Sequence, residues 1–156
     1  MNLRRVAPID WAVGASGAVL IGSLWLHWYR SHGSYTAWQA MSVNDVLLLI
    51  AGGLALVLVL ATATEYSGAV PIAAATFVAF GGVIASILGV VRLIWPPDLG
   101  PGPTDRAAGV WVGTAAALAL AVTGWLDMRD ERRGAHGSTR VDVTPLPAPR
   151  VREEGT

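Results

Sequence analysis

The side chains in this sequence with chemistry to offer are His27 and His32, Asp45 at the head of an apolar run, and Arg92 near the end of another. Paired histidines suit metal binding or proton transfer, and an aspartate facing an arginine forms an ion pair. The two histidines lie five positions apart in segment 25–45, WLHWYRSHGSYTAWQAMSVND, with no third histidine nearby. A haem-binding bundle would want histidines well inside facing helices, so His27 and His32 are expected to be solvated or interfacial. The absence of cysteine removes disulfides, thiolate metal sites and thiol redox chemistry together. No nucleophile, metal-ligand set or acid/base pair clusters anywhere. Catalytic, cofactor-binding and metal-binding residues are each expected to be none, and the chain is not expected to be an enzyme.

The elements that must position Asp45 and Arg92 follow from composition. With 53% hydrophobic residues and 14% charged ones in 156, the chain is too apolar for an ordinary soluble domain of its size. Formal net charge is zero, so only the distribution of charge is informative. Four apolar runs, each about the 20 residues needed to cross a bilayer, predict an all-α, four-transmembrane-helix bundle over residues 1–126. The helices are placed at about 10–29, 43–64, 70–94 and 106–126, and residues 127–156 as a disordered tail. The first run has a rival reading as a cleaved signal peptide behind Arg4 and Arg5, but it ends in Trp25-Leu26-His27-Trp28 rather than in small residues. Ser42 and Asp45 have the spacing of a capping box, Pro71 fits a first helical turn, and Pro96-Pro97 stops the third helix. The segment PPDLGPGPTDR is a loop whose Thr104 or Asp105 caps the fourth helix.

Charge sets the orientation. Arg4, Arg5, Arg129, Arg132, Arg133 and Arg140 gather on one side and Arg30, Arg92 and Arg106 on the other, which puts both termini in the cytoplasm. Trp11 and Trp125 then lie at the inner interface, and Trp25, Trp28, Trp95 and Trp111 at the outer one. Helix association in lipid favours close backbone approach, and small residues recur every fourth position at Gly14, Ala18 and Gly22, at Gly81, Ala85 and Gly89, and at Gly109, Gly113, Ala117 and Ala121. Whether those faces meet within one chain or between copies is open at this point.

Within that frame Arg92 is the charge nearest membrane depth, where arginine costs about 3 kcal/mol at the centre and less if it snorkels. Two readings stand. Asp45 and Arg92 form an interhelical ion pair beneath the first outer loop, or Asp45 caps its own helix while Arg92 reaches headgroups. In that loop Tyr35, Trp38 and Met41 recur every third residue behind Ser34, which predicts a short interfacial helix capped by Ser34. The predicted helix centres hold apolar and small residues with Ser16 and Ser86, and Asp10 lies at the inner end of the first. The embedded glutamate on which small multidrug-type exporters depend has no counterpart there.

The segments TAWQAMSVNDVLLLIAG at 36–52, WPPDLGPG at 95–102 and GWLDMRDERR at 124–133 resemble uncharacterised small four-helix integral membrane proteins of actinobacterial genomes that carry an A-W-x-A-F-S-x-x-D loop. Met41 stands where that pattern has phenylalanine. The resemblance covers most of residues 5–133 and implies a fold and a source, but no activity. The functional expectation is a non-enzymatic subunit of the bacterial cell membrane that assembles with itself or with another membrane protein. The alternative is an oligomeric channel or small-solute transporter. The expected partners are the lipid bilayer and a second copy or another membrane protein, and no nucleic acid is expected.

Overall fold

An apolar run such as VLLLIAGGLALVLVLATAT offers its backbone no polar partner outside itself, and the helix is the local solution. The computed structural model describes residues 7–40, 42–64, 69–100 and 103–137. Four long helices are formed: α1 (Pro8–Ser23), α3 (Ser42–Thr64), α4 (Ala69–Ile94) and α5 (Ala108–Gly137), with a short α2 (Ala37–Ala40) before α3. α1 packs against α3 and α5, and α4 packs against the same two, which closes a ring of four. Three helices contain segments long and apolar enough to cross a membrane, Val43–Thr64, Ala74–Ile94 and Ala108–Arg129.

α1 is shorter than the predicted 10–29. Pro8 opens it, and the Asp10 carboxylate accepts from the Ala7 N–H at 2.8 Å. It ends at Ser23 because the chain tightens there: Leu24, Trp25 and Leu26 donate to the carbonyls of Ile21, Gly22 and Ser23, three residues back. The Trp28 indole N–H also claims the Ser23 carbonyl, at 2.7 Å, and turns the chain out of the helical path. Beyond that turn the chain enters a small sheet. β1 (His27–Arg30) lies between β2 (Ser34–Thr36) and β3 (Asp105–Arg106), both antiparallel to it. Side chains normally alternate across a strand, but an irregularity between His27 and Tyr29 lets Trp28 and Tyr29, neighbours in sequence, both reach the core. The sheet and α2 form a cap over one end of the ring.

Several local expectations change accordingly. Ser34 and Tyr35 are strand, and the short helix begins at Ala37, where the Gln39 side-chain oxygen accepts from the Thr36 N–H at 3.0 Å. Met41 lies outside the described residues. Asp105 pairs in β3 instead of capping α5, and Ala107 N–H donates to the Trp28 carbonyl at 2.8 Å. α5 runs on to Gly137, so residues 127–137 are helix rather than disordered tail; 138–156 lie outside the described residues. In the loop before β3, Gly100 adopts φ 113°, and its N–H donates to Asp98 Oδ1 at 3.1 Å.

The packing is inverted relative to a soluble bundle. Alanine and glycine fill much of the space between helices, while Phe77, Phe80, Ile84, Ile87, Val57 and Val122 stand on the outside. The small-residue stripes are used unevenly within the chain. On α4, Gly81 faces Ala51 of α3, Gly89 faces Thr114 of α5, and Ala85 is buried between. On α1 the close approach runs through Gly14 and Gly17: a methyl at Gly17 would stand 2.6 Å from Ala55 Cβ and 2.8 Å from the Gly52 carbonyl oxygen. Ala18 and Gly22 are exposed, and Gly22 has nothing within 4 Å of that position. Between α4 and α5 the close approaches also include Gly82 against the Ala121 backbone and Gly124 against Ala79. Gly109 and Gly113 serve the cap, since their missing side chains make the slot that Trp28 fills. Within the helices, Ser16, Ser23, Thr62, Ser86, Thr114 and Thr123 each donate to a carbonyl three or four residues back in the same helix.

Candidate functional site

The capped end of the bundle gathers Tyr29, Asn44, Asp45, Arg92 and Arg106 around the C-terminus of α4. A helix leaves its last carbonyls without intrahelical partners, and the negative end of its dipole favours cations. Here the cap supplies both. The Tyr29 hydroxyl donates to the Arg92 carbonyl at 3.0 Å, and the Arg106 guanidinium donates through Nε to Leu93 and through Nη2 to Ile94 at 3.1 Å. β1 and β3 present these two side chains from paired positions, Tyr29 opposite Arg106. The pairing therefore sets the geometry of the contact with α4.

Asp45 and Arg92 come to the same place but do not bond in the way predicted. With its amide oxygen turned toward α4, Asn44 accepts from Arg92 Nε at 2.8 Å and Nη2 at 3.0 Å. Asp45, one residue on, is fully buried, and neither carboxylate oxygen has a hydrogen-bond partner. Its side chain thus does not close the expected capping box. Arg92 does bridge α4 to α3, but through the amide of Asn44. Arg92 remains the charged group whose field acts on Asp45.

Burial pushes the Tyr29 hydroxyl up to about 12 from its usual 10; Arg92 and Arg106 oppose this and Asp45 adds to it. Tyr29 is therefore a neutral donor over the whole physiological range.

No family model, curated protein or solved structure matches this chain. The site must be read from its own atoms. His27 and His32 are both exposed, and among the described residues no three His, Cys, Asp or Glu side chains come together to hold a metal. Tyr35 sits opposite Tyr29 on β2, partly buried, and Trp38 meets Trp25 edge-on with ring centroids 5.9 Å apart and planes at 63°. Trp28, expected at the interface, is fully buried. Trp25, Trp95 and Trp111 are the exposed tryptophans at this end, and Trp11 and Trp125 are exposed at the other.

Tyr29, Asn44, Gly17, Gly52 and Gly82 are not singled out in the sequence reading, and Arg106 enters it only through the charge distribution. The run HWYR is rich in strand-favouring aromatic residues, and Gly52-Gly53 interrupts the most apolar run in the chain; both were available signals. The arrangement as a whole supplies a rigid polar anchor beneath a folded cap, with one buried carboxyl group held beside a cation.

Proposed function

We propose that the chain is an integral membrane protein of the bacterial cell membrane, without catalytic activity, which works by association with itself or another membrane protein. α1 is the fourth crossing element in this reading. Its 16 residues give about 24 Å of helix, and the tightened turn through Leu26 extends this to about 30 Å, the thickness of the hydrocarbon core. Both termini lie in the cytoplasm and the cap faces outward, as the arginine distribution favours. The resemblance to four-helix proteins of actinobacterial genomes agrees with this location.

The observation that carries the reading is the inverted bundle. Bulky apolar side chains face outward on all four long helices, Val19 of α1 included, while the hydroxyls of Ser16, Thr62, Ser86, Thr114 and Thr123 are satisfied within their own helices. Much of the glycine-mediated contact is made inside one chain, which directs association toward the cap, the tail and the lipid-facing grooves. One such groove, of about 470 Å³, is lined by Trp11, Gly14, Ala18, Leu56, Val59 and Leu60. Native mass spectrometry from nanodiscs tests the reading. A defined oligomer, or a stoichiometric complex lost on charge reversal of exposed cap residues, supports it; a monomer that retains no partner from its native membrane removes it.

One observation favours the alternative of an oligomeric channel or transporter: a buried ionisable residue in a membrane segment marks a transport or proton path by default, and Asp45 is one. Flux of ions or small solutes into proteoliposomes, lost in Asp45→Asn, would replace association with transport.

A further inference from the structure

A carboxyl group sealed from water without a single hydrogen-bond donor cannot hold a full negative charge at ordinary cost, and such groups neutralise instead. Both oxygens of Asp45 are in that condition, with the side chain wholly buried in the first turn of α3. The neighbouring cation is already committed, because Arg92 spends two guanidinium N–H groups on the Asn44 amide. An ionised Asp45 would be the stronger acceptor for the same fork of donors, and it stands one residue away. We propose that Asp45 is a proton-binding site whose occupancy decides the partner of Arg92: with the proton bound, Arg92 holds Asn44, and when the proton leaves, Arg92 moves to Asp45. The proposal goes beyond association and does not depend on it.

The surroundings of Asp45 fit a site of this kind. From α4 it faces Arg92; from β1, Tyr29, which also feels Arg92 and Arg106 of β3; α2 and the last turn of α1 carry no titratable side chain. Tyr29 stays neutral, so the exchange involves one proton and one cation. The consequence falls on the cap. The residue whose side chain exchanges partners is the one whose main-chain carbonyl receives the Tyr29 hydroxyl, so the exchange takes place directly beside the seat of β1 on α4.

Infrared difference spectra of the full-length protein in nanodiscs, recorded as pH is raised, test this directly. The wild type is expected to show a protonated-carboxyl band on the acid side of neutrality that disappears as the pH is raised, and Asp45→Asn is expected to lack it throughout. Asn44→Leu, which removes the amide and frees Arg92, is expected to lose the band at lower pH than the wild type, by at least a tenfold change in proton affinity. A titration with no band that depends on Asp45 overturns the proton site. Identical titrations of Asn44→Leu and the wild type overturn the exchange. If Asp45→Asn does not fold, NMR of wild-type protein labelled with carbon-13 at its aspartate carboxyls distinguishes the same outcomes.

Discussion

Tyr29 is the residue on which the cap turns, because its ring fills the core while its hydroxyl ends α4. Tyr29→Phe keeps the ring and removes a hydrogen bond, so a loss of about 1 kcal/mol in thermal stability is expected. The pH dependence has a definite sign. The folded protein holds Tyr29 neutral up to about 12 whereas the unfolded chain ionises it near 10, so its contribution is complete below pH 10 and is lost as pH rises toward 12. Melting curves across that window should show a steeper alkaline decline in the wild type than in Tyr29→Phe; parallel declines would locate the alkaline sensitivity elsewhere. Arg92 and Asn44 call for a different measurement. A double-mutant cycle with Arg92→Ala and Asn44→Ala should give a coupling of about 1–2 kcal/mol, and additivity would dissolve the bridge.

At the scale of elements, the long apolar runs were legible because hydrocarbon leaves the backbone no alternative to helix, and α3 and α4 fall within a residue of the expected 43–64 and 70–94. The sheet was only faintly legible, through the aromatic run HWYR. His27–Arg30 sits directly behind an apolar helix with no proline or glycine to mark the change, and the turn depends on the Trp28 indole finding the Ser23 carbonyl. The Asp45–Arg92 neighbourhood could be inferred from two charges at matching depth, but the choice between adjacent Asn44 and Asp45 depends on side-chain reach, which spacing does not encode. The same limit applies to the glycines: a four-residue repeat names a stripe, while crossing geometry selects the member that is used. Gly17→Val should therefore destabilise by about 1–3 kcal/mol through overpacking against Ala55 and Gly52. Gly22→Ala should be neutral or gain up to about 1 kcal/mol, since it meets open space and improves helix propensity. Thermal denaturation in one detergent ranks the two, and equal effects would mean that α1 packs on another face.

For the whole molecule, the absence of cysteine makes topology directly measurable. A membrane-impermeant thiol reagent applied to intact cells should label Gly33→Cys, in the cap, and should reach Ala7→Cys, at the other end of α1, only after permeabilisation. Labelling of both from one side would remove α1 as a crossing element. The slot in α5 that receives Trp28 has a further consequence, one of timing. β1 and its tryptophan are made early, but β3 lies at Asp105–Arg106 and the glycines that accommodate the indole come later, at 109 and 113. A chain leaving the ribosome has no means of finishing its cap until its last long helix is in place. Completion of the cap therefore reports the arrival of α5, and a chain cut short after α4 leaves the slot for Trp28 unmade and α4 without the Arg106 cap at its end.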